Sequence, residues 1–201
     1  MGPGRVILVR HGETAWNLAG RFQGHSDPGL NEKGESQAMA IAALLAGEEV
    51  VNIFTSDLIR AMHTGRHIGA VHGIPLKTDS SLREINFGAW EGLTFAEIQA
   101  RYPEVLQAWL QDPFSLRMPG GETAGELHQR VITAWNKIVQ DSNPGQTVVI
   151  VAHAGSLRML LCHLTGVDSS RHWDFQMGHG VPVFLIKSGS TYRILYSGTL
   201  D

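Results

Sequence analysis

Three short stretches of the chain are apolar at almost every consecutive position: Val6 to Val9, Val50 to Thr55, and Thr147 to Ala152. Successive side chains of a strand point to opposite faces, so strands of this kind must be covered on both sides. Between them the pattern changes to helical spacing. After Asn31 and Gly34, the residues Ala38, Ile41, Ala42 and Leu45 predict a core-facing helix. Ser56-Asp57 are expected to cap a helix carrying Leu58, Ile59, Met62 and Ile68. Thr94 with Glu97, and Thr123 with Glu126, read as capping boxes. The second opens a long amphipathic helix through Leu127, Val131, Trp135 and Ile138. Asn143-Pro144-Gly145 is a turn, Ala154 to Leu164 a helix, and Val181 to Ile186 and Tyr192 to Tyr196 are closing strands joined at Ser188-Gly189. Strands alternating with helices specify an α/β three-layer sandwich, a mainly parallel sheet with helices on both faces. At 201 residues, with no fixed-period repeat, the chain reads as one domain over 1–201.

Composition narrows the function. Sixteen basic against 19 acidic residues leave a net charge of −3, the wrong sign for binding nucleic acid by phosphate neutralisation. One cysteine, Cys162, excludes an internal disulfide and any Cys-rich zinc module; set among Leu160, Leu161 and Leu164, it reads as a core thiol. No apolar run approaches the roughly 20 residues of a membrane span, and the N-terminal run is too short for a signal peptide. A cytoplasmic location is the expectation, with no membrane partner and a homo-oligomer left open.

The chemistry lies just past the strands. The first ends in Arg10-His11-Gly12, the second leads to Arg60 near the start of its helix, and the third ends in His153-Ala154-Gly155. Taken singly, each has a structural use: a histidine after a strand commonly caps or packs. An arginine in a first helical turn, however, opposes the macrodipole. If the three strands are parallel neighbours, both arginines and both histidines meet outside the carboxyl ends of the sheet, where open α/β sheets bind ligands. Helix N-termini point there too, so the set suits a dianionic phosphate. Gly12 and Gly155 would let the backbone approach it closely.

These residues resemble the signature of the histidine phosphatase (phosphoglycerate mutase-like) superfamily. The resemblance runs from Leu8-Val9-Arg10-His11-Gly12-Glu13-Thr14-Ala15-Trp16-Asn17 through Phe22-Gln23-Gly24, Leu30 to Gly34, Thr55 to Ala61, and Leu82 to Gly88, to Ala152-His153-Ala154-Gly155. It implies that His11 is the nucleophile, forming a phosphohistidine. It further implies that Arg10, Arg60 and His153 clamp the equatorial oxygens. Glu84 is implied as the acid that protonates the leaving alkoxide and then activates water. Asn17, Gln23 and Gly24, with Arg10, Arg60, Glu84 and His153, are implied to line the substrate pocket. No metal and no cofactor are implied.

Other chemistries fit poorly. G-x-S-x-G, Walker A, Asp-x-Asp and Cys-x5-Arg signatures are all missing. His63 and His67 have an i, i+4 spacing that can bind zinc but lack the intervening Glu of H-E-x-x-H, so solvent-facing or capping roles are expected. His25, His72, His128, His163, His172 and His179 receive no role.

Within the family, a mutase must hold a second anionic group, yet from Glu84 to Gly121 the basic residues are only Arg101 and Arg117. Hydrolysis is therefore favoured. Phe87, Trp90, Phe95, Tyr102, Trp109 and Phe114 fall in the same stretch, a small helical cap insertion at about 85–121. They serve either as packing of the cap or as a lid for a bulky leaving group. Arg83 to Gly92, followed by Pro119-Gly120-Gly121-Glu122, is similar to the α-ribazole-5′-phosphate phosphatases of cobalamin nucleotide-loop assembly. A small phosphomonoester is the expected partner. The alternatives are a broad-specificity or sugar-phosphate phosphatase, a cofactor-dependent phosphoglycerate mutase, or a non-catalytic phosphate-binding protein.

Overall fold

The computed structural model describes residues 2–197; Met1 and residues 198–201, which the one-domain reading also spans, lie outside the described residues. Strand β1 (Arg5–Arg10) is followed by a one-turn helix α1 (Ala15–Leu18) and by α2 (Glu32–Leu45). Then come β2 (Val50–Thr55), α3 (Ile59–His72) and a short β3 (Leu76–Thr78). Between β3 and the next long helix lie α4 (Phe95–Arg101) and α5 (Pro103–Gln111). The long α6 (Ala124–Gln140), β4 (Thr147–Ala152) and α7 (Ala154–Thr165) precede the closing hairpin, β5 (Pro182–Ser188) and β6 (Thr191–Ser197).

The sheet order is β3-β2-β4-β1-β5-β6. The first four strands in that order are mutually parallel, and β5 and β6 add antiparallel pairings at one side. The three apolar runs are thus the parallel neighbours β2-β4-β1. Their continuous hydrophobicity is explained by two cores. Val6, Leu8, Val148 and Ile150 face the layer of α6, α7 and the cap. Ile7, Val9, Val149 and Val151 face the opposite layer, with Ile41 and Leu45 of α2 and Ile68 of α3.

Local expectations are met at α2, capped by the Asn31 side chain, and at the boxes Thr94/Glu97 and Thr123/Glu126. One is corrected. Neither Ser56 nor Asp57 caps α3, whose N-cap position is Leu58 and has no side-chain cap. Asp57 instead forms a two-pronged pair with Arg83, at 2.7 Å for each contact. The capping acceptor comes from a distant loop, where Asp27 Oδ1 takes the Ile59 N–H at 2.8 Å. Strand β3 and its parallel pairing to β2 carried no local signal, being three residues long and largely exposed.

Candidate active site

The three strand exits are stitched together by backbone. The N–H of His11 donates to Ala152 O at 3.1 Å and that of Ser56 to Val151 O at 3.1 Å. The register pairs Arg10 with Ala152 and Thr55 with Val151, so the chain leaves all three strands at one level. Sequence-distant side chains meet there: the rings of His11 and His153 lie 5.0 Å apart between centroids.

His11 is buried, and its Nδ1 lies 2.7 Å from Gly12 O. A carbonyl only accepts, so Nδ1 carries the proton and Nε2 of the neutral ring keeps its lone pair. Burial, and then the charges of Arg60 and Arg10, hold the His11 pKa well below the ordinary histidine value. The same causes act on His153. Its Nε2 lies 2.9 Å from Ser56 Oγ.

The two guanidiniums are aimed by backbone carbonyls. Arg60, fully buried, donates from Nη1 to Ser26 O and from Nη2 to Gly24 O, each at 2.8 Å. Arg10 donates from Nη1 to Met177 O at 2.9 Å. In both, Nε is buried without a protein partner. Burial lowers both pKa values, that of Arg10 to about 10, so each remains a cation at neutral pH. Two charges with spare donors and little water are what an anionic ligand would offset.

Glu84 enters from the opposite side. Its carboxylate accepts the Gly155 N–H at 3.0 and 3.1 Å and the Ile85 N–H at 3.0 Å. A Cβ at residue 155 would collide with Glu84 Oε1, so a larger residue there would push the carboxylate out of this position. Asn17 Oδ1 accepts from the Thr14 N–H at 3.1 Å, and Gln23 Oε1 lies 3.0 Å from Thr14 Oγ1. With their oxygens occupied, both amides retain NH2 donors. A cavity of about 220 Å³ is lined by Arg10, His11, Asn17, Gln23, Arg60 and Glu84. Gly24 stands behind it: its carbonyl orients Arg60, and its φ of 54° is in the region that favours glycine. Beyond Glu84 lies a second, apolar chamber of about 170 Å³, whose walls include Phe87, Trp109 and Leu127.

The aromatics of the 85–121 stretch divide between buried packing and the wall of the chamber. Trp90 is fully buried and packs edge-on against Trp109 at 5.5 Å, while Phe87 and Trp109 face the chamber beside Glu84. Phe95 is 47% exposed and does neither.

Several contributors were missed in the sequence. His179 packs at 5.4 Å from the His11 ring and its Nδ1–H donates to His11 O at 2.9 Å. Burial and Arg10 push its pKa down to about 4. The Gly12 N–H donates to Thr64 Oγ1 at 3.0 Å. Glu91 accepts from the N–H groups of His25 at 2.8 Å and Ser26 at 2.7 Å, fixing the loop whose carbonyls hold Arg60. Arg130 gathers the carbonyls of Ser81, Arg83 and Glu84 and pairs with Glu122. None had a local sequence signal, because each acts across the fold. His63 and His67 are part-exposed, as expected, and both turn to one carboxylate, Glu35, at 3.3 and 3.0 Å. Among the described residues no group of three His, Cys, Asp or Glu is arranged to hold a metal ion.

The chain is similar in sequence and in fold to known proteins. Over 171 residues the chain is 35% identical to phosphoserine phosphatase 1 of Hydrogenobacter thermophilus, covering 85% of this chain and 81% of that protein. It is 33% identical over 193 residues to a glucosyl-3-phosphoglycerate phosphatase of Mycolicibacterium vanbaalenii, covering 93% and 85%. The structure of a putative α-ribazole-5′-phosphate phosphatase from Escherichia coli superposes with a TM-score of 0.92 at 26% identity, over 98% of this chain and 97% of that one. Residues 6–191 match the family model of the histidine phosphatase superfamily, branch 1, and the chain belongs to that family.

Proposed function

We propose that this phosphatase is a metal-independent phosphomonoesterase working through phospho-His11. The observation that supports it is the His11 ring, with Nδ1–H committed to Gly12 O and Nε2 bare beside two buried guanidiniums. In this reading Nε2 attacks phosphorus as the ester P–O bond breaks. Arg10, Arg60 and His153 hold the equatorial oxygens, and the amides of Asn17 and Gln23 add donors. Protonated Glu84 gives its proton to the departing alkoxide. As a carboxylate it then takes a proton from the water that attacks the phosphohistidine, releasing phosphate and restoring Nε2. One domain carries the whole reaction, with 85–121 as its cap, in the cytoplasm.

For the substrate we propose α-ribazole 5′-phosphate. An aromatic base on the leaving group suits a chamber walled by Phe87 and Trp109 next to the acid. His11→Ala is expected to keep the fold and lose turnover. Wild type quenched in alkali should yield a phosphohistidine; its absence, or activity in the alanine variant, overturns the mechanism. A substrate panel in EDTA tests the assignment, comparing α-ribazole 5′-phosphate with sugar phosphates, phosphoserine and 3-phosphoglycerate. A kcat/KM at least ~100-fold above the rest supports the assignment. A flat profile transfers the protein to the broad-specificity alternative, and loss of all activity in EDTA overturns the metal-independent reading.

A further inference from the structure

The apolar chamber beyond Glu84 contains a cation that the mechanism does not use. Arg158 lies on α7, one turn past the Gly155 N–H that holds Glu84, so both project to the same side of the helix. Together with Phe87, Trp109, Leu127 and Met159 it lines the chamber. Its Nε donates to Phe175 O at 2.9 Å, and its guanidinium lies 4.8 Å from the centre of the Trp173 ring. Trp173 is backed by the ring of His172 at 4.6 Å. Among the described residues, neither Nη of Arg158 donates to a protein acceptor. The side chain is therefore fixed at its neck and its face, while its outer donors remain unspent on a mostly apolar wall that it shares with Glu84 and His172. Burial lowers its pKa and the charge of Glu84 opposes that shift.

We propose that Arg158 is a specificity residue, donating to a hydrogen-bond acceptor (a carboxylate or an aromatic ring nitrogen) borne on the apolar body of the leaving alcohol. The proposal rests on the phosphomonoesterase reading above and adds a property of the substrate: the part of its leaving group that enters the chamber is apolar except for one acceptor. A leaving group that covers this part-exposed guanidinium removes water from its outer donors, so one carrying an acceptor is favoured and a purely hydrocarbon one, which would leave the donors unpaired, is disfavoured.

The test uses three esters of benzylic alcohols, all of which need the same protonation on leaving: benzyl phosphate, pyridin-3-ylmethyl phosphate and 3-carboxybenzyl phosphate. At least one acceptor-bearing ester is expected to exceed benzyl phosphate by about 10-fold or more in kcat/KM, and which one gains distinguishes ring nitrogen from carboxylate. In Arg158→Met that ratio should fall to about one. Arg158→Lys, which keeps the charge but not the planar fork, should retain part of a carboxylate preference. Three results overturn the proposal: no acceptor preference in wild type, a preference that survives in Arg158→Met, or equal slowing of all three esters. The last would assign Arg158 to Glu84 or to the fold. Binding of the three free alcohols, followed by quenching of tryptophan fluorescence, gives a readout without chemistry. If no ester is hydrolysed, the phosphomonoesterase reading fails while the Arg158 proposal is still decided by whether the acceptor alcohols bind more tightly than benzyl alcohol.

Discussion

At the scale of single residues, Arg10, His11, Arg60 and Glu84 are oriented by backbone rather than by another side chain, and only His153 turns to a side chain, Ser56 Oγ. Gly12 O fixes the His11 tautomer, Ser26 O and Gly24 O aim Arg60, and the Gly155 N–H receives Glu84. Backbone partners cannot swing away, so the site is preorganised before an anion arrives. The roles assigned to Glu84 give a sharp prediction. Glu84→Gln keeps an oxygen for the Gly155 N–H but has no proton to give. It should slow alkyl phosphates by about 10³-fold and 4-nitrophenyl phosphate, whose phenolate leaves unaided, by about 10-fold or less. Parallel steady-state assays decide it, and equal losses would remove Glu84 from the acid role. Arg10, His11, Arg60, Glu84 and His153 were all legible in the sequence because each sits beside a strand end or in a recognisable block. His179, Thr64 and Arg158 were not, since their partners are backbone groups elsewhere in the chain.

At the scale of elements, α3 shows how local signals can mislead. A Ser-Asp pair before a helix is an ordinary capping signature. Here both residues are drawn into other work, Asp57 with Arg83 and Ser56 with His153, and Asp27 supplies the missing acceptor. Asp27 also stands 3.7 Å from Arg60. Its removal should therefore act twice, on helix stability and on the anion site. Asp27→Ala is expected to cost about 1 kcal/mol in urea denaturation, through the lost cap. Because one negative charge beside Arg60 is lost, vanadate should inhibit the variant more strongly, while stability is the deciding readout for the cap. An unaltered denaturation midpoint would show that Asp27 is not the functional cap.

At the scale of the whole molecule, the site is a buried cluster of neutral imidazoles among cations, and its stability must depend on pH. His11, His153 and His179 have folded pKa values below the unfolded value of about 6.5. In that interval the unfolded chain binds more protons, so stability is complete above about pH 6.5 and declines as the pH falls toward the folded values, about 4 for His179. The urea midpoint should be lower at pH 5 than at pH 7.5, by titration followed with circular dichroism. A midpoint independent of pH across that range would mean these rings are not held neutral.

The sequence alone determined the layered α/β architecture, because a strand apolar at every position can only be satisfied by cover on both faces. It also pointed to Arg10, His11, Arg60 and His153 as candidates, because they follow such strands closely, and to Glu84 through the block that resembles the family. Only the tertiary structure decided the strand order, the Glu35 pairing of His63 and His67, the loop from which α3 takes its cap, and the division of the cavity by Glu84 into a polar and an apolar half. Each of these depends on contacts between residues tens of positions apart, where neither periodicity nor local propensity carries information. The geometry that brings them together exists only once the sheet has closed.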